Sequence, residues 1–167
     1  GAALLSRVLT EFGFLVEVVQ PDRFKDGYGL HSHLLEAAYQ RGIRLVVAVD
    51  TGITGFAAVD RANELGLDAI IVDHHKLDPV RGIPAAVAVI NPQREDCLSG
   101  LKQLCGCGLA FYLSMALRAR GREWGWFAGR ADPNLKRHLD LVVLATAADM
   151  VPLTGDNRIL VSHGMRV

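Results

Sequence analysis

Three short apolar runs, each leading to a polar side chain, constrain the fold of this chain more than any other feature. Residues 45–49 (LVVAV) lead to Asp50, residues 69–72 (AIIV) lead to Asp73, and residues 86–90 (AVAVI) lead to Asn91. Runs that are apolar throughout, rather than alternating, are typical of strands that are buried on both faces of a parallel sheet. Helical patterns lie between them, so the sequence predicts an α/β fold in which helices flank a parallel sheet on both faces.

The rest of the chain is predicted to be mostly helical. Helices are expected over residues 2–13, 32–41, 56–65, 104–120 and 134–148, and from Asp156 onward. Residues 14–19 (FLVEVV) form a short apolar run that predicts a further strand. We expect a single domain over residues 1–167, with the sheet in residues 1–92 and a mostly helical part in residues 93–167.

Composition restricts the compartment and the partners. The formal net charge is zero, so bulk charge gives no argument for nucleic acid, although a local basic groove on a neutral domain would still allow it. The three cysteines have no disulfide-framework spacing, which favours a reducing compartment and predicts a cytoplasmic protein. No apolar stretch reaches the ~18 residues of a membrane span, so no membrane partner is expected.

Asp73, His74 and His75 follow the second apolar run directly. Ligands of parallel α/β sheets bind beyond the carboxyl ends of the strands, where these side chains would lie. Carboxylate and imidazole together suit Mn²⁺, Fe²⁺ or Zn²⁺, and a histidine can hold or protonate a phosphate oxygen. The alternative is a cluster that only caps the next turn, but three adjacent metal-competent residues favour a metal-dependent phosphoesterase site.

Asp50 is a second acidic strand end in the predicted sheet and can reach the same crevice as Asp73, His74 and His75. One carboxylate that bridges two cations would make a two-metal site, where one metal activates water and both neutralise the phosphate. Gly52 and Gly55 would let the backbone approach a phosphate, and the following helix offers free N–H groups. Taken alone, Asp50 fits a turn or N-cap residue equally well.

At several other positions the sequence does not decide between a functional and a structural role. Asp149 ends an apolar helix, and its partner could be a metal, a buried hydrogen bond or a salt bridge. Gly106 and Gly108 open a helix, where a small residue permits either close packing or close approach of a ligand. The histidines outside the triplet are expected on the surface: His31, His33, His138 and His163.

Residues 49–52 (VDTG), followed by residues 72–75 (VDHH), resemble motifs of the DHH phosphoesterase superfamily. Further stretches resemble its single-strand-specific exonucleases: residues 21–30 (PDRFKDGYGL), 90–92 (INP), 104–111 (LCGCGLAF), 147–153 (AADMVPL) and 157–160 (NRIL). The resemblance runs over the whole chain in order, and the combination is specific although each piece alone is weak.

The resemblance implies the core of a hydrolase that degrades single-stranded DNA from the 5′ end in DNA repair and recombination, with two divalent ions, Mn²⁺ or Mg²⁺. By position, Asp50 would bridge the two metals, and His74 and Asp149 would be further ligands. Asp73 would support His74, and His75 would face the scissile phosphate. Predicted substrate contacts are Arg23 and Tyr28, together with Gly106 and Gly108. A single-strand-binding protein or a helicase would be a partner of the full-length enzyme.

One motif of the superfamily, an Asp-x-Asp-Gly strand end, is expected just before the first helix, and Gly1 comes after that point. We therefore expect a fragment, truncated at both ends, that is inactive or crippled by itself because two metal-ligand carboxylates are missing. Two alternatives remain: another DHH phosphoesterase that acts on oligonucleotides, cyclic dinucleotides or pyrophosphate, and a non-catalytic binding module with the same fold.

Overall fold

The computed structural model describes all 167 residues, which form two compact units. The sheet unit comprises residues 19–102, and the helical unit comprises residues 1–18 and 103–167. In chain order the elements are α1 (Ala2–Phe12), α2 (Ser32–Gln40), β1 (Leu45–Val49), α3 (Phe56–Leu65), β2 (Asp68–Val72), β3 (Ala88–Ile90), α4 (Gly106–Glu123), a 3₁₀ turn (Leu135–His138), α5 (Leu139–Ala148) and α6 (Gly155–Gly164).

The sheet unit is built on three parallel strands in the order β1-β2-β3. The strands are rich in β-branched residues, which pack well on a pleated surface. Their ends are in register, because Val49 pairs with Val72 and Val72 pairs with Ile90. This register brings three polar residues to one carboxyl edge of the sheet: Asp50, Asp73 and Asn91.

Helices α2 and α3 share a hydrophobic cluster with the sheet. Leu35 of α2, Ala58 and Ala62 of α3, and Ala69 of β2 are buried together in it. Burial of a leucine such as Leu35 contributes about 2 kcal/mol relative to its exposure. This packing fixes α3, and with it the turn at the carboxyl edge that connects β1 to α3.

In the helical unit, α1 packs on α4, α4 on α5, and α5 on α6. The buried side chains of α1, Leu4, Leu5, Val8 and Phe12, recur at the spacing of one helical face. The ring of Phe12 meets the ring of Phe127 edge-on, with 5.3 Å between the centroids. The apolar face that the sequence predicts for α1 is therefore the face that is buried in the structure.

The prediction of a strand over residues 14–19 is wrong. These residues have no regular secondary structure, and their apolar side chains are largely exposed, including Leu15 at 104%. A strand needs a neighbouring backbone to complete its hydrogen-bond ladder, and the sheet contains only β1, β2 and β3. Residues 14–19 therefore have the composition of a strand but no neighbouring strand with which to pair.

The expected surface position of the other histidines is wrong for His138. This residue is 4% exposed, and its Nε2 lies 3.1 Å from Glu11 Oε1 on α1. A buried imidazole needs a polar partner, and the carboxylate supplies one. His163, in contrast, is exposed as predicted.

The predicted fold class, a parallel α/β sheet with helices and a mostly helical continuation, is confirmed. The division of one domain at residue 92 stays a prediction. None of the helices is both long enough and apolar enough to cross a bilayer.

Candidate metal centre

Asp50, the first residue after β1, has an unusual backbone. Its φ is 65°, a left-handed conformation that costs a non-glycine residue about 1–3 kcal/mol. Its N–H donates to the carbonyl oxygen of Val72 at 2.8 Å, and its own carbonyl oxygen accepts a hydrogen bond from the Tyr28 hydroxyl at 2.7 Å. Such outliers cluster at functional sites, which supports a role for Asp50 there.

Asp73, the first residue after β2, is 1% exposed and organises the following turn. Its Oδ1 accepts hydrogen bonds from the backbone N–H groups of His74 (2.8 Å) and His75 (3.2 Å). Its Oδ2 accepts a hydrogen bond from the N–H of Ile53 in the turn that follows β1 (3.0 Å). One buried carboxylate therefore ties the two strand ends together.

The same carboxylate fixes the ring of His75. Oδ1 of Asp73 lies 2.6 Å from His75 Nδ1. A carboxylate at this distance accepts a hydrogen bond from Nδ1–H, so the other ring nitrogen, Nε2, is left for chemistry. The predicted support of His74 by Asp73 is thus made through the His74 backbone, whereas the ring that Asp73 orients belongs to His75.

Asp50, His74 and His75 converge into one cluster that could hold a metal ion. Each offers a ligand atom, and these atoms lie within 4.8 Å of one another. His74 Nε2 is 3.2 Å from Asp50 Oδ1, and the rings of His74 and His75 have centroids 4.6 Å apart. The structure therefore brings together three of the predicted site residues.

The electrostatics of Asp50 favour its charged form. The side-chain contact with His74 holds the pKa of Asp50 below its ordinary value of 3.8, while burial acts in the opposite direction. Although His74 Nε2 is near, Asp50 Oδ1 is buried and makes no hydrogen bond of good geometry. A buried carboxylate oxygen without a donor is costly, and a cation would satisfy it. Carboxylate plus imidazole is a donor set that suits Mn²⁺, Fe²⁺ or Zn²⁺.

Asn91, at the end of β3, is a site residue that the sequence did not single out for a role. It is 3% exposed, and its Nδ2 donates to the carbonyl oxygen of His75 at 3.0 Å. Its Oδ1 accepts from the N–H of Gln93 at 2.8 Å. The signal for it was the same as for Asp50 and Asp73, a polar residue that ends an apolar run.

Tyr28, one of the predicted substrate contacts, lies beside the cluster. Its ring meets the ring of His75 edge-on, with centroids 6.0 Å apart. The guanidinium of Arg23 lies 5.9 Å from the centre of the Tyr28 ring. Gly52, in contrast, is explained by packing, because a Cβ there would stand 3.2 Å from Ala48 Cβ at a φ of 107°.

The other predicted site residues lie in the helical unit. Asp149 follows α5 directly and is exposed, and its N–H donates to the carbonyl oxygen of Ala145. Gly106 and Gly108 are buried in the first turn of α4, where a Cβ on Gly108 would stand 3.3 Å from the Leu104 side chain. This contact favours a packing role for Gly108. The metal-ligand role of Asp149 and the substrate roles of the two glycines stay predictions.

Fold and site together define a class of protein: an α/β domain with a carboxylate–imidazole cluster at the carboxyl edge of a parallel sheet. The chain belongs to the DHH family, because residues 1–146 match the model described as the DHH family, N-terminal domain. The resemblance to this family in the sequence motifs is thereby confirmed.

Individual relatives narrow the comparison. The chain is 50% identical over 152 residues to the single-stranded-DNA-specific exonuclease RecJ of Dickeya dadantii (strain 3937), covering 90% of this chain and 26% of that protein. It is 48% identical over 152 residues to the protein of the same name from Escherichia coli (strain K12), with the same coverage of 90% and 26%.

A solved structure, described as exonuclease RecJ bound to manganese, matches with a TM-score of 0.80 at 31% identity. The match covers 99% of this chain and 39% of the solved chain. The chain spans about a quarter (26%) of the length of these two curated relatives.

Proposed function

We propose that this chain is part of the catalytic core of a metal-dependent exonuclease that hydrolyses single-stranded DNA in the 5′-to-3′ direction. The observation that carries the proposal is the cluster of Asp50, His74 and His75, in a chain whose relatives bear the name of single-stranded-DNA exonucleases. The enzyme is proposed to act in the cytoplasm, in DNA repair and recombination. Its proposed partners are single-stranded DNA and a single-strand-binding protein or helicase.

Asp50 and His74 are the proposed metal ligands in the sheet unit, with Asp50 bridging two ions, and Asp149 is the proposed ligand in the helical unit. The buried, unsatisfied Oδ1 of Asp50 and its mixed carboxylate–imidazole surroundings support this assignment. Mn²⁺ or Mg²⁺ is the proposed metal, and the solved relative contains manganese. When bound, two divalent ions supply an activated water and neutralise charge on the phosphate.

His75 is proposed to act on the scissile phosphate through Nε2. Because Asp73 holds Nδ1 at 2.6 Å, Nε2 accepts a proton or, once protonated, donates one to a phosphate oxygen. The Asp73 carboxylate stabilises the imidazolium that forms, as a buried acid does beside a catalytic histidine. The Asn91 Nδ2 donates to the carbonyl oxygen of His75, so the backbone of His75 is held as well as its ring.

An exonuclease assay tests the proposal on the natural polypeptide that contains this sequence, expressed at its full encoded length. We expect Mn²⁺-dependent release of nucleotides from a long 5′-phosphorylated single strand, faster than from dinucleotides, cyclic dinucleotides or duplex. His75→Ala should reduce kcat by about 10² to 10⁴, the usual contribution of a general acid or base.

His163→Ala is the matched control, because His163 is exposed on α6 and makes no part of the cluster. It should retain the activity of the natural sequence. A preference for dinucleotides would point to an oligonucleotide phosphoesterase instead. The absence of any metal-dependent hydrolysis would point to a non-catalytic binding module.

A further inference from the structure

We propose that Tyr28 is a positioning residue for the metal-binding carboxylate: its hydroxyl holds the backbone of Asp50 in the conformation from which that carboxylate meets His74. The inference deepens the proposed function and rests on it for the identity of Asp50 as a metal ligand. It differs from the predicted role of Tyr28 as a substrate contact, in which the hydroxyl would face the DNA.

Asp50 needs such support because its backbone is in a conformation that suits glycine. At a φ of 65°, an ordinary side chain is disfavoured by a factor of about 5 to 30. A glycine would remove this strain, but it would also remove the carboxylate that contacts His74 at 3.2 Å. Aspartate enters this conformation more readily than most side chains but less readily than glycine, so contacts from outside the turn stabilise it there.

Two hydrogen bonds hold the backbone of Asp50, and they have different origins. The N–H of Asp50 donates to the Val72 carbonyl oxygen as a continuation of the pairing between β1 and β2. The carbonyl oxygen of Asp50 accepts from the Tyr28 hydroxyl, 22 residues away in sequence, at 2.7 Å. The first bond follows from the sheet, whereas the second depends on a single side-chain atom.

The rest of Tyr28 can be kept while that atom is removed. The edge-on contact with His75 and the approach of Arg23 both involve the ring and not the hydroxyl. Tyr28→Phe therefore deletes the hydrogen bond to Asp50 and leaves both ring contacts. Tyr39→Phe is the matched control, since the Tyr39 ring packs under Arg44 on α2, in the hydrophobic cluster of the sheet unit.

The first test is a Mn²⁺ titration, followed by electron paramagnetic resonance, of the natural polypeptide at its full encoded length. We expect Tyr28→Phe to weaken Mn²⁺ binding by about two- to tenfold, the value of one hydrogen bond. Excess Mn²⁺ should restore its exonuclease rate, and its KM for single-stranded DNA should not change. An unchanged Mn²⁺ affinity together with a raised KM would overturn the proposal in favour of a substrate contact.

The second test needs neither metal nor activity. In crystals grown without metal, Tyr28→Phe should move residue 50 out of its left-handed φ, because the Asp50 carbonyl oxygen has lost its donor. Tyr39→Phe should leave the backbone of Asp50 as it is in the natural sequence. An Asp50 backbone that is unchanged in Tyr28→Phe would overturn the proposal.

The two tests separate this inference from the proposed function. If the natural sequence binds Mn²⁺ but does not cleave DNA, the proposed function fails, and the titration and the metal-free crystal structures still decide the role of Tyr28. If the natural sequence binds no Mn²⁺, the positioning of a metal ligand is overturned whatever the metal-free crystal structures show.

Discussion

Replacing Asp73 with asparagine should destabilise the sheet unit far more than the loss of one exposed charge. The buried carboxylate accepts from three backbone N–H groups, those of Ile53, His74 and His75, and contacts the His75 ring. An amide has only one oxygen. In its better orientation that oxygen replaces Oδ1, and the amide NH₂ then faces the N–H of Ile53, which loses its acceptor.

The magnitude follows from these contacts. A buried N–H without an acceptor costs about 1–3 kcal/mol, and the remaining hydrogen bonds lose the strength that a charged acceptor gives them. Together they predict a loss of about 3 kcal/mol in the free energy of unfolding. For a chain of this size the loss corresponds to a Tm lower by roughly 6–12 °C.

Thermal and urea unfolding, followed by circular dichroism, measure this loss. Asp78→Asn is the matched control, because Asp78 also accepts from two backbone N–H groups, those of Val80 and Arg81, but in an exposed turn. It should lose much less stability than Asp73→Asn. Equal losses would refute the reasoning, since they would mean that burial and the link between strand ends add nothing.

Two further predictions concern the helical unit. Gly164→Ala should cost about 2–3 kcal/mol of unfolding free energy, because its Cβ would stand 2.5 Å from the Leu139 carbonyl oxygen. In denaturant titrations Gly108→Ala should cost less, since its Cβ would meet only a flexible side chain at 3.3 Å. Burial, followed by the hydrogen bond to Asp156, raises the pKa of Tyr112 to about 12. The contribution of neutral Tyr112 to the stability of the fold is therefore complete below pH ~10, the pKa of tyrosine in the unfolded chain. This contribution is lost as the pH rises toward 12. Ultraviolet titration of tyrosinate against Tyr112→Phe checks this, and a Tyr112 transition near pH ~10 would contradict it.

The sequence allowed the sheet and most of the site to be predicted because both depend on local patterns. Uninterrupted apolar runs identify buried parallel strands, and the residues after them meet at one edge once the strands pair in register. The sequence thus predicts one cluster of Asp50, His74 and His75, and in the structure their ligand atoms lie within 4.8 Å of one another.

The features that escaped prediction depend on contacts between distant residues. Residues 14–19 have the composition of a strand, but pairing is decided by what lies beside them. His138 is buried by its contact with Glu11, 127 residues away in sequence. The bond from Tyr28 to the Asp50 carbonyl oxygen spans 22 residues and involves backbone, so no pattern of side-chain types records it.

The position of bound Mn²⁺ tests the proposed centre most directly. Anomalous diffraction at the manganese edge, from crystals of the natural polypeptide grown with Mn²⁺, locates the ion without reference to activity. We predict a peak within coordination distance of the Asp50 carboxylate and the His74 imidazole, which is lost in His74→Ala. A peak elsewhere in the molecule, with none at this cluster, would contradict the assignment of the centre.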